Sequence, residues 1–169
     1  MTQKPSVRRT WAPIGRTPVL MHAYNWQKLS IAAALSYRWD GRRSRLFFQT
    51  KPGSYDTASL IAFLQALKAE RPGRKCLLIW DGLPAHKSKL MQAHLRTQRH
   101  WLAVAVLPGY APDLNPVELL WGNVKGQELA NLCAADLPAV GRELRRGLAR
   151  VAASRTLAHA FLRHTGLTL

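Results

Sequence analysis

The order of apolar runs predicts an α/β fold, a mixed sheet flanked by helices with a helical C-terminal end. Three observations carry it. Two short continuous apolar runs, 76–80 and 101–107, are separated by a helix-length segment and read as neighbouring strands of an open α/β sheet. Ahead of them, residues 28–37 and 45–50 flank the turn Arg38-Trp39-Asp40-Gly41-Arg42 and read as a hairpin. Beyond residue 116 apolar side chains recur at helical spacing almost to the end.

In chain order, Asp40 falls at the tip of that hairpin, and Asp56 stands before Thr57-Ala58-Ser59-Leu60 as a helix N-cap. Leu60, Ile61, Phe63, Leu64 and Leu67 make 57–70 an amphipathic helix that should pack on the sheet, closed by Arg71-Pro72-Gly73. Cys76-Leu77-Leu78-Ile79-Trp80 is too short for a helix and is expected to be a buried strand, followed by a helix over 88–98. The strand over 101–107 leads through a proline-rich loop to a helix over 117–129, with Trp121 and Val124 facing inward. Over 138–154, Val140, Leu144, Leu148 and Val151 form one stripe opposite Arg142, Arg145, Arg146 and Arg150, a core stripe with a solvated face in preference to a DNA-reading helix. Residues 155–169 read as a short final helix and tail. No internal repeat, linker or second domain interrupts residues 1–169, which are expected to form one domain.

The charge narrows the partner. Twenty-five Lys plus Arg against nine Asp plus Glu give a net +16, a field that favours a polyanion such as the phosphate backbone of double-stranded DNA. Residues 1–50 carry nine cations and one acid, against seven and five over 101–169, so nucleic acid is expected mainly on the N-terminal half. Arg8, Arg9, Arg16, Arg42, Arg43 and Arg45 are the candidate phosphate contacts, and Trp11 either stacks on an unpaired base or belongs to the core. The alternative for the charge is a solvated surface alone. Cys76 and Cys133 match no metal spacing and read as buried thiols of a reducing compartment. No apolar run reaches the roughly 18 residues of a membrane helix, and no signal-peptide core follows Met1, so a cytoplasmic, nucleoid-associated protein without membrane contact is expected.

Chemistry gathers at two carboxylates. Pro108, Pro112 and Pro116 each fix φ in the loop before the 117–129 helix, and Gly109 permits an unusual turn. Asn115 then Pro116 read as N-cap and first helical position, which puts Glu118 at N3. Glu118 is either a site residue or the second half of a capping box. Asp81 follows the 76–80 strand, at the sheet edge where open α/β folds bind ligands, or is simply the Asp of an Asp-Gly turn. Thirty-seven positions separate the two, and neighbouring strands could bring both carboxylates to one edge. Such a pair in a cation-rich chain suits Mg²⁺ or Mn²⁺. His86 either touches a phosphate there or is an exposed loop histidine.

Trp80-Asp81-Gly82-Leu83-Pro84-Ala85-His86 and residues 107–121 resemble the second and third catalytic motifs of transposases with a DDE superendonuclease domain, closest to the bacterial insertion-sequence branch of the mariner superfamily. Arg8-Arg9-Thr10-Trp11-Ala12-Pro13, with Gly15 and Thr17-Pro18-Val19, resembles the segment after that family's first catalytic aspartate, so the likeness is strongest over 5–129. The resemblance implies a ribonuclease H-like fold and metal-dependent DNA cleavage and strand transfer, with Asp81 as second ligand, Glu118 as third, and Asp113 and Asn115 shaping the loop. One departure stands out. No acidic residue precedes Asp40, and neither Asp40 nor Asp56 matches the first ligand. The expectation is therefore a downstream portion of a transposase without the first strand and its aspartate, inactive alone, with two strand edges open. Its expected partners are transposon-end and target DNA, a separately encoded upstream half and a second copy of the chain. A catalytically inactive basic DNA-binding protein on the same fold is the alternative, and a metal-dependent ribonuclease or resolvase is a third reading.

Overall fold

The computed structural model describes residues 2, 4–21, 27–154 and 156–167. Strands β1 (Leu29–Tyr37) and β2 (Ser44–Pro52) form an antiparallel hairpin registered from Leu29↔Pro52 to Tyr37↔Ser44. Asp40 closes its turn, accepting from Arg42 N at 3.1 Å and pairing with Arg38 Nε at 3.0 Å. Helix α1 (Thr57–Ala69) begins where expected, because Asp56 accepts from Ser59 N at 2.8 Å. Strands β3 (Cys76–Trp80) and β4 (Leu102–Val106) are parallel, registered Trp80↔Val106. Between them lie a single turn, α2 (Pro84–Lys87), and α3 (Lys89–Thr97), capped by the Ser88 hydroxyl.

The strands form two two-stranded sheets, β1-β2 and β3-β4, and no hydrogen-bonded register joins β1 to β3. Helix α1 connects them instead. Phe63 and Leu64 pack with Ala32, Ala34 and Phe47 of the hairpin and with Leu78 and Trp80 of β3, and the Phe47 and Phe63 rings lie 5.1 Å apart. Side-chain burial thus holds the pairs together where a backbone ladder is missing. Strand β3 is also less buried than expected. Leu78 and Trp80 turn toward α1, while Leu77 and Ile79 on the other face are 63% and 48% exposed.

The larger core lies on the hairpin's opposite face. Ile31, Ala33, Leu35, Leu46 and Phe48 meet α4 (Pro116–Gln127), α5 (Leu137–Ala153) and α6 (Leu157–His164). The expected stripe of Val140, Leu144, Leu148 and Val151 is buried, against fully buried Leu120 and Val124. Arg150 departs from the expected solvated face. Its Nε lies 2.6 Å from Glu128 Oε1, its Nη2 3.0 Å from Oε2, and Nη2 also donates to Asn123 Oδ1 at 2.7 Å. Gly147 makes this possible, since a Cβ there would stand 2.7 Å from Glu128 Oε2.

The N-terminal arm runs extended along this half. Ser6 bridges Ala130 in parallel, and Asn131, at φ 54°, clasps Arg8 with bonds of 2.8 Å from Arg8 N and 3.0 Å to Arg8 O. Cys133 is exposed and Cys76 only half-buried, so neither is the buried thiol expected: Cys76 lies on the partly covered β3, and Cys133 in the loop between α4 and α5. No helix among the described residues is long and apolar enough to cross a membrane.

Candidate active site

Parallel pairing sends β3 and β4 to the same edge, and Leu107 N extends the ladder by donating to Trp80 O at 2.8 Å. Asp81 therefore sits where the proline-rich loop departs. Its carboxylate is held by its own turn: Oδ1 accepts from Leu83 N at 3.2 Å and lies 3.0 Å from His86 Nδ1. The His86 ring stacks on Trp80 with centroids 4.1 Å apart and planes 2° from parallel. His86 is thus not an exposed loop histidine: its Nδ1 is engaged by Asp81, while its ring lines the neighbouring cavity. It is a mostly buried side chain that orients Asp81, and the second carboxylate oxygen is left for other ligands.

A cavity of about 370 Å³ opens beside Asp81 and His86, lined also by Lys87, Arg96 and Arg99. These cations come from three separate places, Lys87 in α2, Arg96 in α3 and Arg99 beyond it, so no single-element charge pattern marks them. Glu118 does not line that cavity.

The loop to Glu118 is shaped by its prolines, though not quite as expected. The left-handed residue is Tyr110, at φ 56°, rather than Gly109, and its side chain is fully exposed. A bulky residue there costs about 1–2 kcal/mol, strain that the flanking Pro108 and Pro112 help maintain. Asp113 lies exposed in a single 3₁₀ turn (Pro112–Leu114), and Asn115 caps α4 by accepting from Val117 N at 3.1 Å.

Geometry then separates the two readings of Glu118. In a capping box its carboxylate would return to Asn115 N, but that N–H donates to Pro112 O at 2.9 Å. Glu118 is exposed, and among the described residues its carboxylate has no hydrogen bond or ion pair. An acidic group without a structural partner at the positive end of a helix is set to take a ligand. Asp81 and Glu118 are each hard oxygen donors without a Lys or Arg salt bridge among the described residues, with Lys87, Arg96 and Arg99 lining the cavity beside Asp81. They suit a Mg²⁺ or Mn²⁺ ion that takes further ligands from phosphate and water. Among the described residues no cluster of three or more His, Cys, Asp or Glu is arranged to hold a metal.

The candidate DNA contacts are all on the surface: Arg8, Arg9 and Arg16 on the arm, and Arg42, Arg43 and Arg45 about the hairpin tip. Trp11 is fully exposed, which removes its core reading.

An α/β domain with one carboxylate at a parallel strand edge and a second, unpartnered, at a helix start has the design of an acidic phosphoryl-transfer site. The chain belongs to the DDE superfamily endonuclease family, which matches residues 1–139. Among solved structures it is similar in fold to the Mos1 mariner paired-end complex with Mn, at 19% identity and a TM-score of 0.61, covering 96% of this chain and 49% of that chain. It is similar to the Mos1 transposase paired-end complex with left transposon end at 19% and 0.62, covering 96% and 47%. Against the Mos1 transposase catalytic domain with raltegravir and Mg the values are 20% and 0.53, covering 82% and 79%. The chain thus spans about half the length of the full transposase chains. No curated protein matches it. The ribonuclease H-like fold expected from the resemblance is borne out.

Proposed function

We propose that the chain is the catalytic-domain portion of a metal-dependent DDE transposase, which cleaves DNA strands and joins them to new sites. The observation that carries this reading is the Glu118 carboxylate, free of any capping duty, at the end of a loop that starts beside Asp81. Asp81 and Glu118 would hold Mg²⁺ or Mn²⁺, which when bound would supply Lewis-acid stabilisation of charge on a transferring phosphate. His86 holds the Asp81 carboxylate at one rotamer, Asp113 and Asn115 shape the loop, and the exposed arginines seat transposon-end and target DNA. The protein works on the nucleoid, in the cytoplasm, with a second copy as partner.

A two-metal site of this class needs a third acidic ligand, and none stands with these two among the described residues. We therefore expect no nicking by the chain alone, and Mg²⁺- or Mn²⁺-dependent nicking when another polypeptide contributes a third carboxylate. The same observation supports a second reading, a basic DNA-binding protein without catalysis, which nicks in neither assay. Mn²⁺ binding followed by electron paramagnetic resonance tests the carboxylate pair: binding is expected for the native chain and lost in Asp81→Asn and in Glu118→Gln. Unchanged binding in both variants would refute the assignment.

A further inference from the structure

A second site lies away from the Asp81 cavity, in a groove of about 760 Å³ between the N-terminal arm and α4. Arg8 and Arg9 form one wall, and Gly122, Asn123, Gly126 and Gln127 form the other. The arm is not loosely placed, because Asn131 clasps the Arg8 backbone and leaves its guanidinium unconstrained.

The polar lining offers donors. Asn123 has its Oδ1 committed to Arg150, since a guanidinium only donates, so its NH₂ is what remains for a ligand. Glu128, at the C-terminal end of α4, is turned inward into its pair with Arg150 and is 6% exposed. Positive and donor groups thus face the groove while the carboxylate is withdrawn. The floor is open as well. A Cβ on Gly122 would meet nothing within 4 Å, and one on Gly126 only Arg8 Nη2 at 4.0 Å. Glu118, Gly122 and Gly126 recur at four-residue intervals, so the groove follows the side of α4 that starts at Glu118.

We propose that this groove holds the sugar–phosphate backbone of a DNA strand and leads it along α4 to Glu118. The inference rests on the DNA-acting reading above and adds a defined path for the strand. Arg8 and Arg9 neutralise successive phosphates, Asn123 and Gln127 donate to phosphate oxygens, and the two glycines let the backbone lie against the helix. An acidic peptide would satisfy some of the same donors, but a net charge of +16 and two adjacent guanidiniums favour a regular polyanion.

Fluorescence anisotropy with labelled duplex and single-stranded oligonucleotides over a salt series tests the proposal on the full chain. Gly122→Leu with Gly126→Leu is expected to fold and melt like the native chain, because a Cβ at either position meets no atom closer than 4.0 Å, yet to lose at least about tenfold in affinity for DNA. Arg8→Ala with Arg9→Ala, on exposed side chains whose backbone bonds are untouched, should lose as much and lower the salt slope by about two. Arg142→Ala with Arg145→Ala and Arg146→Ala removes more charge from the solvent face of α5 and should change affinity by less than about threefold.

Native affinity in the folded glycine variant, or equal losses in the arm and α5 variants, would overturn the groove while leaving DNA binding intact. Failure of the native chain to bind DNA would overturn the functional reading itself. Polyglutamate binding that is lost in the glycine variant, with DNA binding retained, would assign the groove to an acidic protein partner. If the glycine variant did not fold, the comparison of arm with α5 variants would decide.

Discussion

At Arg150 and Tyr37 single side chains tie the C-terminal helices to the rest of the domain. Burial raises the Tyr37 phenol to about 12, and its hydroxyl donates to Ala158 O at 2.8 Å, joining the end of β1 to α6. A raised folded-state value means the native state keeps its proton longer than the unfolded chain does. Tyr37 therefore contributes stability fully present below pH 10 and lost as pH rises toward about 12. Tyr37→Phe should cost about 0.5–1.5 kcal/mol at neutral pH, and urea titrations between pH 8 and 11.5 should show the difference shrinking in the alkaline range. The Glu128 carboxyl moves the other way, held below its usual range chiefly by its hydrogen bonds from Arg150. Its contribution is present above the ordinary value of 4.5 and fades as pH falls through the lowered one. Arg150→Ala strands that carboxylate and should destabilise by about 3 kcal/mol. Gly147→Ala drives a methyl group into Glu128 and should cost about 1–3 kcal/mol. In a double-mutant cycle with Glu128→Ala the part of that cost due to the carboxylate should vanish, leaving the closer approach to Val124 Cγ1 at 3.0 Å; fully additive penalties in chemical denaturation would contradict the contact.

Among the elements, α4 joins a structural end to a functional one. Asn115 is its cap, so Asn115→Ala should cost about 1 kcal/mol. The Glu118 carboxylate makes no bond to the helix start, so Glu118→Gln should change stability by less than about 0.5 kcal/mol while removing a ligand. Equal losses in thermal melts of the two variants would return Glu118 to the capping-box reading. The motif around Glu118 was legible because proline, Asn-Pro and a following apolar helix are local signals. That its carboxylate is unused was not legible, since the answer depends on where the Asn115 N–H goes. Likewise Asp81 was placed correctly at the end of β3, but the stacking of His86 on Trp80 follows from a turn whose geometry no spacing rule specifies.

For the whole molecule, the division into two sheets has a physical consequence. Among the described residues β3 has an edge without a strand partner, and its face away from α1 exposes Leu77 and Ile79. Open edges beside apolar surface favour association. Light scattering should show concentration-dependent association of the isolated chain, and Leu77→Lys with Ile79→Lys should reduce it with little loss of stability, because both side chains are already exposed. Association unchanged by that pair would show that another surface is responsible. The net charge acts on the same scale: affinity for duplex DNA should fall steeply with salt and show little sequence preference.

The sequence by itself determined the order and kind of elements, from the Asp56 and Asn115 caps and the alternation of short apolar runs to the placement of Asp81 after a strand and Glu118 at N3. These depend on neighbours a few residues away. It also carried the family, through motifs whose residues are contiguous. Tertiary structure alone decided which faces meet: that Arg150 turns from the solvated side of α5 to Glu128, that Cys133 stays outside, that β3 is covered on one side only, and that the arm lies against the glycine side of α4. Each of these is settled by packing between segments distant in the chain, where burial and hydrogen-bond geometry choose among partners that local pattern leaves equivalent.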